Sequence, residues 1–281
     1  MKKYLLLPLM LAISACVPAS HPGVVTRAAM EPASTSSLPA MKRFTVHQSL
    51  PAPRSNNDLS LDFIELSFRM ESGKELPFFT RFEGPVTVRV IGAPPPTLGP
   101  DLTALLNRLR QEARIDISPT SGPNANITVE AVSRRAISKV LPQAACFVAP
   151  NVSSLDEYKK VRRTAQTNWS LLKTRSRVSI FIPNDASPQE VRDCLHEELA
   201  QALGPLNDLY RLPDSVFNDD NVHTVLTGFD MMILRAYYDP ALRSGMTRGQ
   251  VANALPGILA RINPGGTSTK ARFLTRTPRA W

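Results

Sequence analysis

The stretch Ser187 to Gly204, "SPQEVRDCLHEELAQALG", decides how the chain is read: it specifies a helix and puts a carboxylate where a core residue belongs. Ser187 is placed as an N-cap, Pro188 at the first helical position and Glu190 at N3, which together predict a capping box. Gly204 stands where a left-handed C-cap is expected. On a helical wheel started at Val191, the residues Leu195, Glu198, Leu199 and Ala202 share one stripe, with Cys194 at its edge. His196 and Ala200 fall nearly opposite. The visible His196-Glu197 pair is therefore out of register with the buried carboxylate, Glu198.

A shift by one residue gives the carboxylate a chemical frame. Metal-peptidase helices carry two ligands at i and i+4, with the catalytic Glu directly after the first. With Glu198 as base, Glu197 takes the first ligand position and Gln201 the second. Gly204 then stands at the glycine of the long metzincin motif, and Asn207 at its third ligand, beside Asp208. The pattern resembles a metzincin frame in which all three histidines are replaced. Of the four histidines, His21 and His47 precede the folded region, so only His196 and His223 remain for a site that would need three. Oxygen donors such as Glu197, Gln201, Asn207 and Asp208 suit a hard divalent cation better than zinc. No cofactor is expected beyond such a cation.

Glu198 keeps two readings. It is a general base retained from a hydrolase, or a buried acid that accepts hydrogen bonds from a backbone segment such as the 215–221 loop. The structural version is preferred, because the metal that would activate water lacks its usual ligands. Glu197 and Gln201, at i and i+4, read as an exposed edge of the helix. Asn218, Asp219 and Asp220 could hold a cation or simply form a turn.

Working outward, "LSLDFIELSFRM" (59–70) has helical spacing, and "PVTVRVIG" (85–92) alternates as a strand. "DLTALLNRLRQEA" puts Leu102, Leu105, Leu106 and Leu109 on one stripe. "RIDIS", "NITVEAV", "ACFVAP" and "RVSIFIP" read as four more strands. Thr227 and Asp230 have capping-box spacing at the start of a helix that ends at Tyr237-Tyr238. The class is α+β, a mixed sheet with a mostly helical C-terminal half.

The N-terminus sets the compartment. Met1-Lys2-Lys3 and the short apolar run from Leu5 to Ala12 make a secretory signal, too short to span a membrane. Ile13-Ser14-Ala15-Cys16 resembles the bacterial lipobox, which implies lipidation of Cys16; Val17 after it favours the outer membrane, facing the periplasm. The other reading is an ordinary signal cut near Ala15 or Ala19. Removal of residues 1–15 takes away two lysines, so 33 minus 2 leaves 31 basic against 24 acidic residues, a net +7. A basic chain outside the cytoplasm is attracted to anionic lipid or cell-wall polymer rather than to nucleic acid. With Cys16 assigned to lipid, Cys146 and Cys194 form the expected disulfide, stabilising by roughly 3 to 4 kcal/mol. No nucleophile elbow or phosphate-binding glycine loop is present in the sequence.

The lipobox, "FIELSFRMESGKELPFFTRFEGPV", "CLHEELAQALGPLND", "SVFND" and "FDMMILRAYYDPALRSGM" resemble the proteobacterial family catalogued as domain of unknown function 2927. The resemblance implies a lipoprotein and carries no known activity. The strand and helix order from "PVTVRV" to "ANITVEAV", and the helix from Leu226 to Pro240, resemble matrix-type and serralysin-type metalloproteases, which implies a zincin-like fold. "LPDSVFNDDNVH" lacks their methionine turn. The expected organisation is a signal peptide (1–15), a lipidated and disordered Pro/Ala/Ser-rich tether (16–57), one zincin-like domain (58–264) and a flexible basic tail (265–281). The expected role is binding of a cell-wall polymer, a peptide or another envelope protein. The alternatives are a metal-dependent or Glu198-dependent hydrolase, and a structural envelope lipoprotein.

Overall fold

The computed structural model describes residues 25–28, 54–218 and 223–267. Its centre is a mixed sheet built from β1 (Val25–Ala28), β2 (Val86–Gly92), β3 (Ile117–Pro119), β4 (Ile127–Val132), β5 (Ala144–Pro150) and β6 (Val178–Pro183). The strands lie in the order β1-β5-β6-β4-β2-β3. The ladders β3–β2, β2–β4 and β4–β6 are parallel, whereas β5 runs antiparallel to both β6 and β1. Both β5 and β6 are buried along their whole length, which is why they read as continuous apolar runs rather than alternating ones.

Among the described residues there are seven helices: α1 (Asn56–Phe68), α2 (Leu98–Gln111), α3 (Arg134–Ser138), α4 (Leu155–Val161), α5 (Pro188–Leu203), α6 (Gly228–Tyr237) and α7 (Arg248–Ile262). Successive side chains of a strand point to opposite faces, and the two faces carry separate cores. Cys146, Val148, Ile180 and Ile182 belong to the large core with α1, α2, α5, α6 and α7. Phe147, Ala149 and Phe181 belong to a smaller one with α3 and α4. In the smaller core the Phe147 ring lies 4.6 Å from Phe181 and 5.0 Å from Tyr158, at tilted angles that aromatic pairs favour.

The expected α+β class with a mixed sheet and a helical C-terminal half is found. Two segments differ from expectation. Strand β1 falls inside the segment read as a tether, with Val25 opposite Val148 and Thr26 opposite Phe147. The reason is that β5 has a free edge whose backbone groups need partners, and β-branched residues can supply them. At the other end, Pro264–Thr267 forms a 3-10 turn in which the Asn263 side chain donates to the Arg54 carbonyl at 3.2 Å and to Asn56 at 2.9 Å. Gly265 and Gly266 therefore close the domain against the start of α1 rather than beginning a free tail. The signal sequence, Cys16 and the rest of the two expected terminal segments lie outside the described residues.

Candidate functional site

Helix α5 is held at both ends. At its start the Ser187 hydroxyl accepts from the Glu190 backbone at 3.2 Å, as expected. The reciprocal half of the capping box is not made: the Glu190 carboxylate pairs instead with Arg134 of α3, which offers a charged donor in place of a backbone amide. One turn further, Cys194 is bonded to Cys146, which pins α5 to β5.

At its end the expected left-handed Gly204 is also corrected. Its φ is −171° and ψ −80°, outside the left-handed region. Glycine is required here for another reason: a Cβ would lie 2.5 Å from the Tyr237 ring of α6. The carbonyls of the last turn are taken by Arg175, whose guanidinium donates to Gln201, Ala202 and Gly204. It stacks on Trp169 at 5.0 Å, and burial pulls its pKa down to about 10, still charged at neutral pH. A buried cation at a helix C-terminus is favoured by the helix dipole. Arg175 was not singled out from the sequence, because its partners are carbonyls 26 to 29 residues away.

The wheel predicts an apolar stripe and an open side, but α5 is buried all round from Asp193 to Leu203. His196 does not face outward: it is 0% exposed, and its Nδ1 accepts from the Leu226 backbone at 3.1 Å. The Leu226 carbonyl accepts from Arg108 of α2 at 2.8 Å, so both backbone polar groups of this residue are fixed. Burial, with the positive charges of Arg108 and Arg192 added, holds the imidazole pKa well below its ordinary value. Glu197 and Gln201 do not form an exposed edge either: they are 5% and 0% exposed. Beyond the end of α5 the chain returns along α1.

The candidate ligands are tied to α1 and the turn after it. Gln201 donates to Glu71 at 2.9 Å. The Asn207 side chain donates to the Glu65 carbonyl at 3.1 Å, and the Leu206 amide to the Leu66 carbonyl at 3.0 Å. Asp208 is half-buried beside them. Among the described residues, no three His, Cys, Asp or Glu side chains are grouped as metal ligands. Asn218 donates to the Leu212 carbonyl at 3.0 Å, a turn contact. Asp219 and Asp220 lie outside the described residues.

Glu198 is fully buried at the centre of α5. The start of the 215–221 loop is held by a second carboxylate. Asp230 of α6 accepts from the Ser215 hydroxyl at 2.5 Å, the Val216 amide at 3.2 Å and the Thr227 amide at 2.7 Å. Thr227 and Asp230 make the capping box that their spacing predicts. Burial pushes the Asp230 carboxyl up to about 6, against the lowering effect of these hydrogen bonds. The same loop is clamped to α1 by charge: Asp62 accepts from Arg211 at 2.8 Å and Arg54 at 3.0 Å, and Arg54 also reaches Asp214 at 2.9 Å. Loss of water outweighs these arginines and leaves the Asp62 carboxyl raised.

The polar groups around α5 thus serve mainly as acceptors and donors for backbone at distant positions. A family model, described as Protein of unknown function (DUF2927), matches residues 56–257, from the start of α1 into α7. No curated protein and no solved structure matches the chain.

Proposed function

We propose the following for this chain, which belongs to the DUF2927 family: it is an exported, lipid-anchored envelope protein whose domain acts by binding and not by hydrolysis. The observation that carries this reading is the burial of α5. Glu197, Glu198, Gln201 and His196 are at most 5% exposed, and Cys194 is closed in a disulfide. A general base must reach water and substrate within hydrogen-bond distance. Here His196 and Gln201 are engaged with Leu226 and Glu71.

Zincin-like kinship belongs to the same proposal. Its support is the order strand β2, helix α2, strand β4, then the central helix α5 and the closing helix α6. A fold of that kind does not bring its chemistry along, since function resides in the site. Export and the anchor at Cys16 are supported by the lipobox-like Ile13-Ser14-Ala15-Cys16 and by the disulfide, which belongs to an oxidising compartment.

The deciding experiment is metal analysis and a broad peptide-hydrolysis assay on the purified mature protein and on Glu198→Gln. The expected result is no activity in either and no stoichiometric metal. Activity abolished by that substitution, with one bound metal per chain, would overturn the binding reading in favour of a Glu198-dependent hydrolase. The N-terminal peptide isolated from cells should carry lipid on Cys16.

A further inference from the structure

Two observations bear on which face of the domain lies nearest the anchor; the first rests on the lipid-anchor reading above. Strand β1 begins at Val25, so 25 minus 16 leaves nine residue steps between Cys16 and the sheet. Fully extended, that is about 30 Å. Had the folded unit begun at α1, the same arithmetic would allow about 140 Å. Docking of β1 on β5 therefore shortens the leash and puts the β5 edge of the sheet nearest the anchor.

Two layers flank that edge, α5 on one face of β5 and β6 and the pair α3 and α4 on the other, and among the described residues only the second carries a group of free cations. Its two acids are engaged, Asp156 with Lys159 and Glu157 with Arg177, and Arg134 of α3 is taken by Glu190 of α5. Arg162 donates to the Val140 carbonyl at 2.8 Å and joins the end of α4 to the segment after α3. Arg135, Lys139, Lys160 and Arg163 remain, all exposed, and among the described residues none is ion-paired. Arg135 and Lys160 lie on the two short helices and Lys139 and Arg163 just past their ends, over the aromatic core, rather than on a loose tail.

We propose that the α3–α4 face rests on a bilayer containing anionic phospholipid, with Arg135, Lys139, Lys160 and Arg163 as its headgroup contacts. A lipid chain and a basic patch are the two signals that together give stable attachment. The patch fixes which side of the domain is turned away, namely the α1–α7 layer, and leaves that side open to other partners.

The test uses the mature chain from residue 16 with Cys16→Ser, prepared without lipid, and sedimentation with two kinds of vesicle. One is phosphatidylcholine alone; the other contains phosphatidylglycerol as well. Binding is expected only to the second and should weaken as salt is raised. Replacing Arg135, Lys139, Lys160 and Arg163 together by Gln should lower it at least about a hundredfold, since each cation near such a surface contributes roughly fivefold. Replacing Lys74, Arg114, Lys173 and Arg248, four exposed cations on other parts of the surface, should change it by no more than a few-fold. Equal losses in the two variants, or equal binding to the two vesicles, would overturn the proposal. All eight side chains are exposed, and an unchanged thermal midpoint identifies variants that remain folded. The anchor is judged separately, by the mass of the N-terminal peptide from cells, so a missing lipid on Cys16 would leave the vesicle result readable.

Discussion

The neighbouring amides of Leu226 and Thr227 are received by two different buried groups, one on each side of the chain that leads into α6. On the α5 side, Leu226 donates to His196 at 3.1 Å; on the α6 side, Thr227 donates to Asp230 at 2.7 Å. Both acceptors are 0% exposed, and burial acts on each in the same sense, against the charged form. For a base that means a lowered pKa, and for an acid a raised one. The difference is in what else each group holds. His196 accepts one backbone amide at a nitrogen, whereas Asp230 gathers the cap of α6 and residues 215 and 216 at two oxygens. One side is a latch on a single peptide; the other is a hub.

Asp230→Ala should break the hub with the largest effect, about 3 to 5 kcal/mol in urea unfolding, because three buried donors and a helix cap are left without it. Hydrogen exchange at Thr227 and Val216 should speed up most. Replacing Cys146 and Cys194 by Ala should cost roughly 3 to 4 kcal/mol. Cys194 lies two residues before His196, so exchange at Leu226 should accelerate more than at Thr227; the reverse order would contradict the latch-and-hub division. His196→Leu should cost about 1 to 3 kcal/mol, the penalty of one buried donor stripped of its acceptor. Its exchange signature should be confined to Leu226.

The pH dependence sharpens the same comparison, and the signs are opposite. His196 has a lowered folded pKa, so its contribution is present above its ordinary value near 6.5 and is lost as pH falls below it. Asp230 has a folded pKa raised from 3.8 to about 6, so its contribution is present below 3.8 and is lost as pH rises to 6. Between about pH 4 and 6 the two offset one another. His196→Leu should therefore lose stability with rising pH relative to the parent, and Asp230→Asn should gain it. The Asp230→Asn change is on the order of 2 kcal/mol and the His196→Leu change has the opposite sign, both read from unfolding midpoints across that range. Parallel pH profiles for both variants and the parent would show that neither group titrates as its burial requires.

Local signals in the sequence were sufficient for most of the fold. The Ser187 and Thr227 caps, the α2 leucine stripe and the alternating β2 valines each depend on neighbours within a few residues. The helix α5 was legible as a helix, and Glu198 as a buried residue on it. Its surroundings were not legible: an amphipathic wheel assumes one wet side, and here His196, Glu197 and Gln201 are also enclosed. The groups that meet α5 there come from distant positions, brought in by contacts such as Leu226 to His196, Gln201 to Glu71 and Asn207 to Glu65, the last across 142 positions. Arg175 and Asp62 were overlooked for the same cause, since a charged residue carries no local mark of the distant group that accepts it.

What the sequence determined by itself is the type and order of α1, α2, α5, α6 and strands β2 to β6, the pairing of the two later cysteines and the N-caps of α5 and α6. These follow from backbone preferences, apolar period and counting, all short-ranged. Tertiary structure alone decided that α5 is closed on every side, that Gly204 is there to admit the Tyr237 ring, and that Val25–Ala28 completes the sheet. It also decided that Asp230 of α6 holds residues 215 and 216. Each of these depends on which surfaces meet after the chain has folded back on itself, and burial then sets whether a carboxylate or an imidazole acts as a charge or as a neutral hydrogen-bonding partner.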